Sequence, residues 1–409
     1  MIQEPSRGGF GAAEGRASMP PMADEVKLQG SCDSRFETVR EAFAQGFASG
    51  EELGAALCVV LDGRVVVDLW GGWQDEARSR PWQRDTLVNV YSTTKGQTAL
   101  AAHQLVDRGL LDLDAPVARY WPEFAAGGKE DLPVRYLLSH QAGLPAVREP
   151  LPPEALYDWE QMTGALARQE PWWEPGTAHG YHALSFGWLV GEVIRRIIGR
   201  SVGQVVRESI AGPLGVEFEI GFGPELDERV AGLVQGPVHV PEEGPGFDLL
   251  KEILQDPEGL LARTFNNPPL GSANSRPWRA AEIPAANGHT NAFSLARIYG
   301  VLAQGGEAEG VRLLSRESIE RAREEQVCGP DRVLPLPTRL GLGFFLPTEQ
   351  EPLGPNPRVF GHGGAGGSYS QEDPEAGMGF GYVMNLMHQG AWLVDPRPRR
   401  MLQALYDCL

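Results

Sequence analysis

Ser92 and Lys95 are the residues in this chain whose types and spacing best fit covalent catalysis. Apolar positions after Ser92 recur at helical spacing, which predicts Ser92 at a helix start with Lys95 one turn later on the same side. A serine is a weak nucleophile at neutral pH unless a nearby base takes its proton and donors stabilise the oxyanion. The N-terminal N–H groups of a helix supply part of that field. The spacing therefore predicts a serine nucleophile with a lysine base.

The scarcity of lysine favours a chemical role for Lys95. The chain has lysines only at positions 27, 95, 129 and 251, and its other basic residues are mostly arginines. Ser92 is the one serine with a lysine three residues further on. Lysine loses its proton far more readily than arginine, so it suits a general base. The alternative is a helix-capping serine followed by a solvated lysine.

Two glycine motifs resemble known signatures but lie in the wrong context. Residues 361–367 match G-x-G-x-x-G, yet a strand and a hairpin are predicted to follow where a dinucleotide site needs a helix. These glycines instead fit close approach of substrate to an active-site strand, or a structural bulge. Residues 199–203 match the nucleophile elbow G-x-S-x-G, but a helix precedes Ser201 where an elbow needs a strand. Gly199 is predicted to end that helix and Ser201 to cap the next.

Metal and cofactor patterns are missing from the sequence. The eight histidines are dispersed and H-E-x-x-H is absent, so neither a metal nor another cofactor is predicted. The four cysteines lack C-x-x-C spacing, which predicts reduced thiols. Trp172 and Trp173 could line an acyl pocket, although an aromatic pair in this position is more typical of core packing.

Composition and charge point to a small-molecule partner. The net charge of −18 and the sequence pI near 5.0 oppose binding to nucleic acid or to an anionic membrane. No run approaches the roughly 18 apolar residues of a membrane span, and the N-terminus lacks the apolar core of a secretory signal. We expect a cytoplasmic protein with a disordered leader, residues 1–28, and leave the oligomeric state open.

The elements that must position Ser92 are predicted from periodicity and turn chemistry. A helix is expected at 36–48, a hairpin of two strands around Asp62-Gly63, and a helix from Ser92 to about residue 109. A helical insertion is expected at about 129–285. Further predicted elements are a helix at 290–305, strands at 341–345, 359–362, 367–371 and 378–387, and a C-terminal helix from about 398.

Residues 30–405 resemble the serine β-lactamase-related superfamily, and within it the family VIII carboxylesterases. The resemblance is carried by residues 88–95 (VNVYSTTK), 137–144 (LLSHQAGL), 175–183 (PGTAHGYHA), 283–289 (IPAANGH) and 360–368 (FGHGGAGGS). It implies a β-lactamase/transpeptidase-like α+β (α/β) fold, with an antiparallel sheet flanked by helices plus an all-α subdomain. The implied domain covers 29–409, with its α/β part at about 29–128 and 286–409.

The same resemblance implies roles for individual residues. Ser92 is the nucleophile, Lys95 accepts its proton, and Tyr181 matches the tyrosine that shares general-base work and protonates the leaving group. The N–H of Ala365, with that of Ser92, forms the implied oxyanion hole. Substrate-binding roles are implied for Gly364, His362 and Gln141.

Two departures from the family pattern bear on the substrate. Ala183 stands where β-lactamases have the asparagine of Y-x-N, and His362 stands where they have the lysine of K-T-G. Both polar handles for a β-lactam are therefore replaced. The expected activity is hydrolysis of short-chain acyl esters through a Ser92 acyl-enzyme. The alternatives are a β-lactamase, a D-amino-acid peptidase or an acyltransferase of the same fold, or a non-catalytic scaffold protein.

Overall fold

An antiparallel sheet of six strands forms the centre of the fold. The computed structural model describes residues 26–236, 246–391 and 393–409. The sheet order is β1-β3-β2-β8-β7-β6. Its strands are β1 (Gln29–Cys32), β2 (Gly54–Leu61), β3 (Arg64–Gly72), β6 (Phe360–Gly363), β7 (Tyr369–Asp373) and β8 (Met378–Met384), while β4 (Val327–Pro330) and β5 (Pro337–Leu340) pair beside it.

The predicted hairpin around Asp62-Gly63 is confirmed. Asp62 and Gly63 both have positive φ, 48° and 78°, which suits the tight turn that joins two twisted strands. Strand β2 is buried on both faces: Ala56 packs into the helical side of the core and Leu57 into the opposite side. The sheet therefore separates two apolar clusters, as a central layer requires.

Helices cover both faces of the sheet. On one face α1 packs against α12, and on the other α10 packs against β8 and β2. The helices are α1 (Glu37–Ala48), α2 (Thr94–Asp107), α3 (Val134–Leu138), α4 (Trp159–Arg168), α5 (Ser185–Ile198), α6 (Val202–Val206), α7 (Leu249–Gln255), α8 (Leu260–Asn266), α9 (Arg276–Ala280), α10 (Ala292–Ala303), α11 (Arg316–Arg323) and α12 (Pro396–Tyr406). The predicted mixed α+β class and the predicted helices α1, α2 and α10 are confirmed.

Among the described residues of the segment 129–285, most regular elements are helices, and three are strands of two residues each. Each strand pairs outside the segment: Phe218–Glu219 with His289–Thr290, Val234–Gln235 with Leu386–Met387, and Phe247–Asp248 with Gly390–Ala391. These pairs connect the segment to residues that follow it in the chain. The exact domain boundaries remain a prediction.

Several predicted boundaries differ from the structure. The strand predicted at 341–345 is wrong: the strand is β5, and the chain then turns at Gly343 (φ 93°), where an added Cβ would lie 2.3 Å from Ala99. Strand β7 begins at Tyr369, because Gly366 and Gly367 have positive φ. Helix α12 begins earlier than predicted, since Asp395 caps it and Pro396 takes the first position.

Only the last three residues of the predicted leader, 26–28, are described by the structure. Residues 1–25 lie outside the described residues. Val26 and Leu28 pack against the apolar cluster around α1, so the folded part extends beyond the predicted boundary. None of the helices in the described part of the chain combines the length and apolar character needed to cross a bilayer.

Candidate active site

Ser92 lies in a tight turn that leads into α2. The turn is a short 3-10 helix, Tyr91–Thr93, directly before Thr94, the first residue of α2. Tyr91 has a φ of 41°, a left-handed conformation that is uncommon for a bulky residue and that often marks functional sites. Val90 N donates to the carbonyl of Gly288 at 2.9 Å, which fixes the turn from the far side. The serine is therefore presented at a helix start, as predicted.

Lys95 is fully buried and contacts Ser92 directly. Its Nζ lies 3.0 Å from Ser92 Oγ, and it donates to the carbonyls of Ala183 at 2.7 Å and Ala285 at 3.0 Å. Burial lowers the pKa of Lys95 well below its ordinary value of 10.5. A neutral amine has two N–H groups and one lone pair. The two carbonyls account for the N–H groups, so the lone pair is left for the hydroxyl of Ser92.

Tyr181 completes the group of three side chains. It lines the same cavity as Ser92, and its ring centroid lies 4.7 Å from Lys95 Nζ. Burial raises the pKa of Tyr181 above 10.0, although the neighbouring Ser92 side chain acts in the opposite direction. Such a phenol is a proton donor rather than a standing tyrosinate. Ser92, Lys95 and Tyr181, distant in sequence, are thus brought together.

The loop that carries Tyr181 is held by residues that were not among the site residues predicted from the sequence. Asp331 Oδ1 accepts the N–H of Tyr181 at 3.0 Å, and its Oδ2 accepts the hydroxyl of Thr338 at 3.1 Å. His140 Nδ1 accepts the N–H of His182 at 3.0 Å. Asp331 lies in a loop without a periodic or spacing signal. His140 lies inside the quoted motif 137–144, where its φ of 59° could not be seen.

The histidines near Lys95 carry no charge at neutral pH. Burial lowers the pKa of His182 and of His362 to about 3, and that of His140 well below its ordinary value. A nearby carboxylate would raise the pKa of Lys95 and keep it protonated, whereas neutral rings do not. The replacement of a family lysine by His362 therefore puts a neutral ring at that position.

Of the two predicted oxyanion donors, the N–H of Ala365 lies on the loop that joins β6 to β7. Gly364 N donates to the carbonyl of Ser368 at 2.8 Å, so this N–H is already used. In the described part of the chain, no acceptor takes the N–H of Ala365. A Cβ at Gly364 would lie 2.1 Å from the carbonyl oxygen of Val90, so the loop sits directly against the turn of Ser92. This arrangement favours Ala365 as the donor.

A cavity of about 360 Å³ opens onto Ser92, Tyr181 and Ala365. Most of its wall is apolar, and among the described residues no arginine or lysine lines it. The apolar lining comprises Phe247, Leu249, Leu250, Ile253, Phe265, Leu334, Leu336, Phe345, Met387 and Leu393. Ala183 packs into the same apolar cluster as Leu336 and Phe345. The apolar part of the wall therefore suits an apolar group of a ligand.

His362 and Gln141 are not among the residues that line this cavity. His362 is buried, with its ring centroid 4.9 Å from that of Phe345 and 6.2 Å from that of Tyr181. Gln141 Nε2 donates to Ser139 Oγ at 2.9 Å. The structure thus places both behind the site, and their substrate-binding roles stay predictions.

The structure also describes the residues for which the sequence analysis left alternative roles open. Ser201 accepts the N–H of Gln204 and caps α6 in a reciprocal capping box, as predicted, and it follows a helix. Neither Trp172 nor Trp173 lines the cavity; Trp173 packs edge-on against His182. Residues 361–367 end a strand and enter a hairpin, which excludes the dinucleotide motif.

Comparisons with known proteins agree with this geometry. The family model described as Beta-lactamase matches residues 39–404. The chain is 39% identical over 363 residues to Esterase/beta-lactamase LipL of Mycobacterium tuberculosis (strain ATCC 25618 / H37Rv), covering 88% of this chain and 83% of that protein. It is similar to the crystal structure of a family VIII carboxylesterase, with a TM-score of 0.85 and 43% identity over 94% of this chain and 100% of that one.

A second solved structure supports the same fold. A novel penicillin-binding protein homolog from Caulobacter crescentus matches with a TM-score of 0.83 and 39% identity, covering 94% of this chain and 100% of that chain. The resemblance seen in the motifs and the β-lactamase/transpeptidase-like fold class are confirmed.

Proposed function

The chain is a hydrolase of the beta-lactamase family, and we propose that it acts as a serine carboxylesterase on uncharged, short-chain acyl esters. The observation that carries the proposal is the convergence of Ser92, the buried Lys95 that contacts it and the phenol of Tyr181 at a cavity without a lysine or arginine among its described lining. A β-lactam carries a carboxylate, for which this described lining offers neither a lysine nor an arginine.

Acylation begins with the transfer of the Ser92 proton to the lone pair of Lys95. Ser92 Oγ forms a bond to the ester carbonyl carbon, and the carbonyl oxygen becomes the oxyanion. The N–H groups of Ser92 and Ala365 stabilise that charge. When the C–O bond to the alcohol breaks, the phenol of Tyr181 gives the departing alkoxide its proton, and the ammonium of Lys95 restores the phenol.

Deacylation reverses the proton transfers with water in place of the alcohol. Lys95 and Tyr181 take one proton from the water as its oxygen attacks the acyl carbon. The tetrahedral intermediate then releases Ser92, which regains a proton, and the carboxylic acid leaves. An acceptor alcohol in place of water would give acyl transfer by the same steps.

The test combines turnover with active-site labelling. The purified protein is expected to hydrolyse p-nitrophenyl butyrate and to carry a fluorophosphonate label on Ser92, located by mass spectrometry. Ser92→Ala should lose both, whereas Ser201→Ala should keep both. Ester turnover that survives Ser92→Ala would overturn the proposal, and nitrocefin turnover comparable with ester turnover would favour a β-lactamase instead.

A further inference from the structure

The loop that carries the proposed oxyanion donor is rich in glycine and needs external support. Ala365 lies between Gly364, tied to the carbonyl of Ser368, and Gly366, whose φ is 87°. Gly367 also has a positive φ, 128°. Glycines lose the most conformational freedom on folding, so such a loop keeps one shape only where contacts fix it.

Arg397, in the first turn of α12, supplies the contact at Gly366. It is fully buried, and its Nη2 donates to the carbonyl of Gly366 and to Asp395 Oδ2 at 3.2 Å. Its Nε donates to Asp395 Oδ1 at 2.9 Å, and its Nη1 donates to the carbonyl of Leu386 at 2.9 Å and to Glu52 Oε2 at 3.3 Å. All five N–H groups of the guanidinium are therefore used.

The surroundings of Arg397 leave it little freedom to move. An added Cβ at Gly367 would lie 2.2 Å from Arg397 Nη2, so the loop is packed directly on the guanidinium. Burial would raise the pKa of Asp395, but Arg397 and the hydrogen bond from His388 lower it below its ordinary value. His388 Nδ1 lies 3.1 Å from Asp395 Oδ2. The backbone N–H of His388 donates to the carbonyl of Gly366 at 3.1 Å.

We propose that Arg397 is a positioning residue for the ester hydrolysis: through the carbonyl of Gly366 it sets the place of the Ala365 N–H against Ser92. The inference rests on the proposed function, because it assigns a role in stabilising the oxyanion. On the other side, Ser368 Oγ donates to the carbonyl of Val90 at 2.8 Å, which ties the same loop to the nucleophile turn. Arg397 and Ser368 thus hold Ala365 between two anchors.

Arg397→Lys tests this role, because an ammonium keeps the charge but offers three N–H groups on one atom where the planar guanidinium uses five. We expect kcat for p-nitrophenyl butyrate to fall by about 10- to 100-fold with little change in KM, since complete loss of an oxyanion donor costs about 100- to 1000-fold. Affinity for a trifluoromethyl ketone, which forms a tetrahedral adduct on the serine, should fall by the same factor.

Arg399→Lys is the matched control. Arg399 lies on the same helix and pairs with the buried carboxylate of Glu351, and its described bonds do not reach the loop 364–368. It should keep kcat. A folded Arg397→Lys protein with the kcat of the wild type, or with a loss confined to KM, would overturn the inference.

If Arg397→Lys fails to fold, Asp395→Asn decides the question, because the amide oxygen still caps α12 while the charge that orients Arg397 is gone. A fall in kcat with little change in KM supports the inference, and an unchanged kcat overturns it. Failure of the proposed function itself is recognised separately, as a wild-type protein that neither hydrolyses the ester nor takes the fluorophosphonate label.

Discussion

At the scale of single residues, burial determines which lysines are available for chemistry. Lys95 and Lys129 are both fully buried. Lys129 donates to the carbonyls of Ala126, Ala167 and Gln169, and no serine is among these partners. Burial lowers the pKa of Lys129 to about 8. Two of the four lysines are therefore buried amines, and the contact with Ser92 distinguishes the proposed base from a structural donor.

Replacing these two lysines by methionine should separate catalysis from stability. Lys95→Met removes the proposed base, so kcat/KM for p-nitrophenyl butyrate is expected to fall by about 100- to 10,000-fold. Lys129→Met leaves buried carbonyls without a donor and should lower the free energy of unfolding by about 1–3 kcal/mol while kcat is retained. Denaturant unfolding and steady-state kinetics check both. Full ester turnover in Lys95→Met would contradict the role of the amine.

The pH dependence of kcat/KM should report the charge of Lys95. The amine acts as a base only when neutral, so activity must be lost as pH falls through its pKa, and burial places that limb well below 10.5. Because burial raises the pKa of Tyr181 above 10.0, the phenol should cause no loss of activity up to that pH. Profiles of the wild type and of Tyr181→Phe test this. A falling alkaline limb that disappears in Tyr181→Phe would show that the phenol ionises earlier.

At the scale of elements, the site depends on how closely the loop between β6 and β7 approaches the turn before α2. The contact that sets this distance is between two backbones, at Gly364 and the carbonyl of Val90. Thr93 Oγ1 and Ser368 Oγ, 3.1 Å apart, add a polar contact between the same elements. Neither partner in the closest contact is a flexible side chain, so a larger residue at 364 must move one element away from the other.

Gly364→Ala is therefore expected to lower kcat strongly. The added Cβ would lie 2.1 Å from Val90 O, which requires a shift of about 1 Å, and a misplacement of that size can cost about 100-fold in rate. Gly232→Ala is the control, because its nearest neighbours would be 3.9 Å away and its φ is not positive. Kinetics with the p-nitrophenyl esters distinguish the two. Equal kcat values would show that the loop adapts without loss.

Ser201→Ala should weaken α6 without affecting hydrolysis. Ser201 accepts the N–H of Gln204 and donates to Glu282, so its loss removes a helix cap that is worth about 1 kcal/mol. Thermal unfolding should show the decrease, and the activity per folded molecule should equal that of the wild type. Loss of hydrolysis in a folded Ser201→Ala protein would restore the nucleophile elbow as the catalytic site.

Turn and capping residues in the sequence correctly predicted the element ends that depend on neighbouring residues alone. The Asp62-Gly63 turn, the stop at Gly199 and the cap at Ser201 lie where the sequence placed them, because each depends on a few neighbouring residues. The strand predicted at 341–345 is wrong, since the path of Gly343 is determined by its contact with Ala99 on α2. Such a contact between distant segments leaves no periodic signal.

At the scale of the whole molecule, the site joins regions that are far apart in sequence. The motifs around Ser92, Tyr181 and Ala365 could be recognised in the sequence, and the structure brings them to one cavity. Asp331 and Arg397 could not be found in this way, because each is a single charged residue whose importance arises only from the partners it meets. The sequence therefore predicted the residues that meet at the cavity better than the residues that support them.

The apolar cavity predicts how ester hydrolysis depends on acyl length. Its described lining comes from segments between residues 92 and 395, and its 360 Å³ exceeds what an acetyl group fills. Each additional buried CH₂ contributes about 0.8 kcal/mol, so kcat/KM should rise about fourfold per CH₂ from acetate to hexanoate. Leu336→Asn places an amide in the wall and should flatten this series, whereas Leu270→Asn, at a position 41% exposed and outside the cavity, should not. A wild-type series that falls with length would show that the acyl chain binds elsewhere.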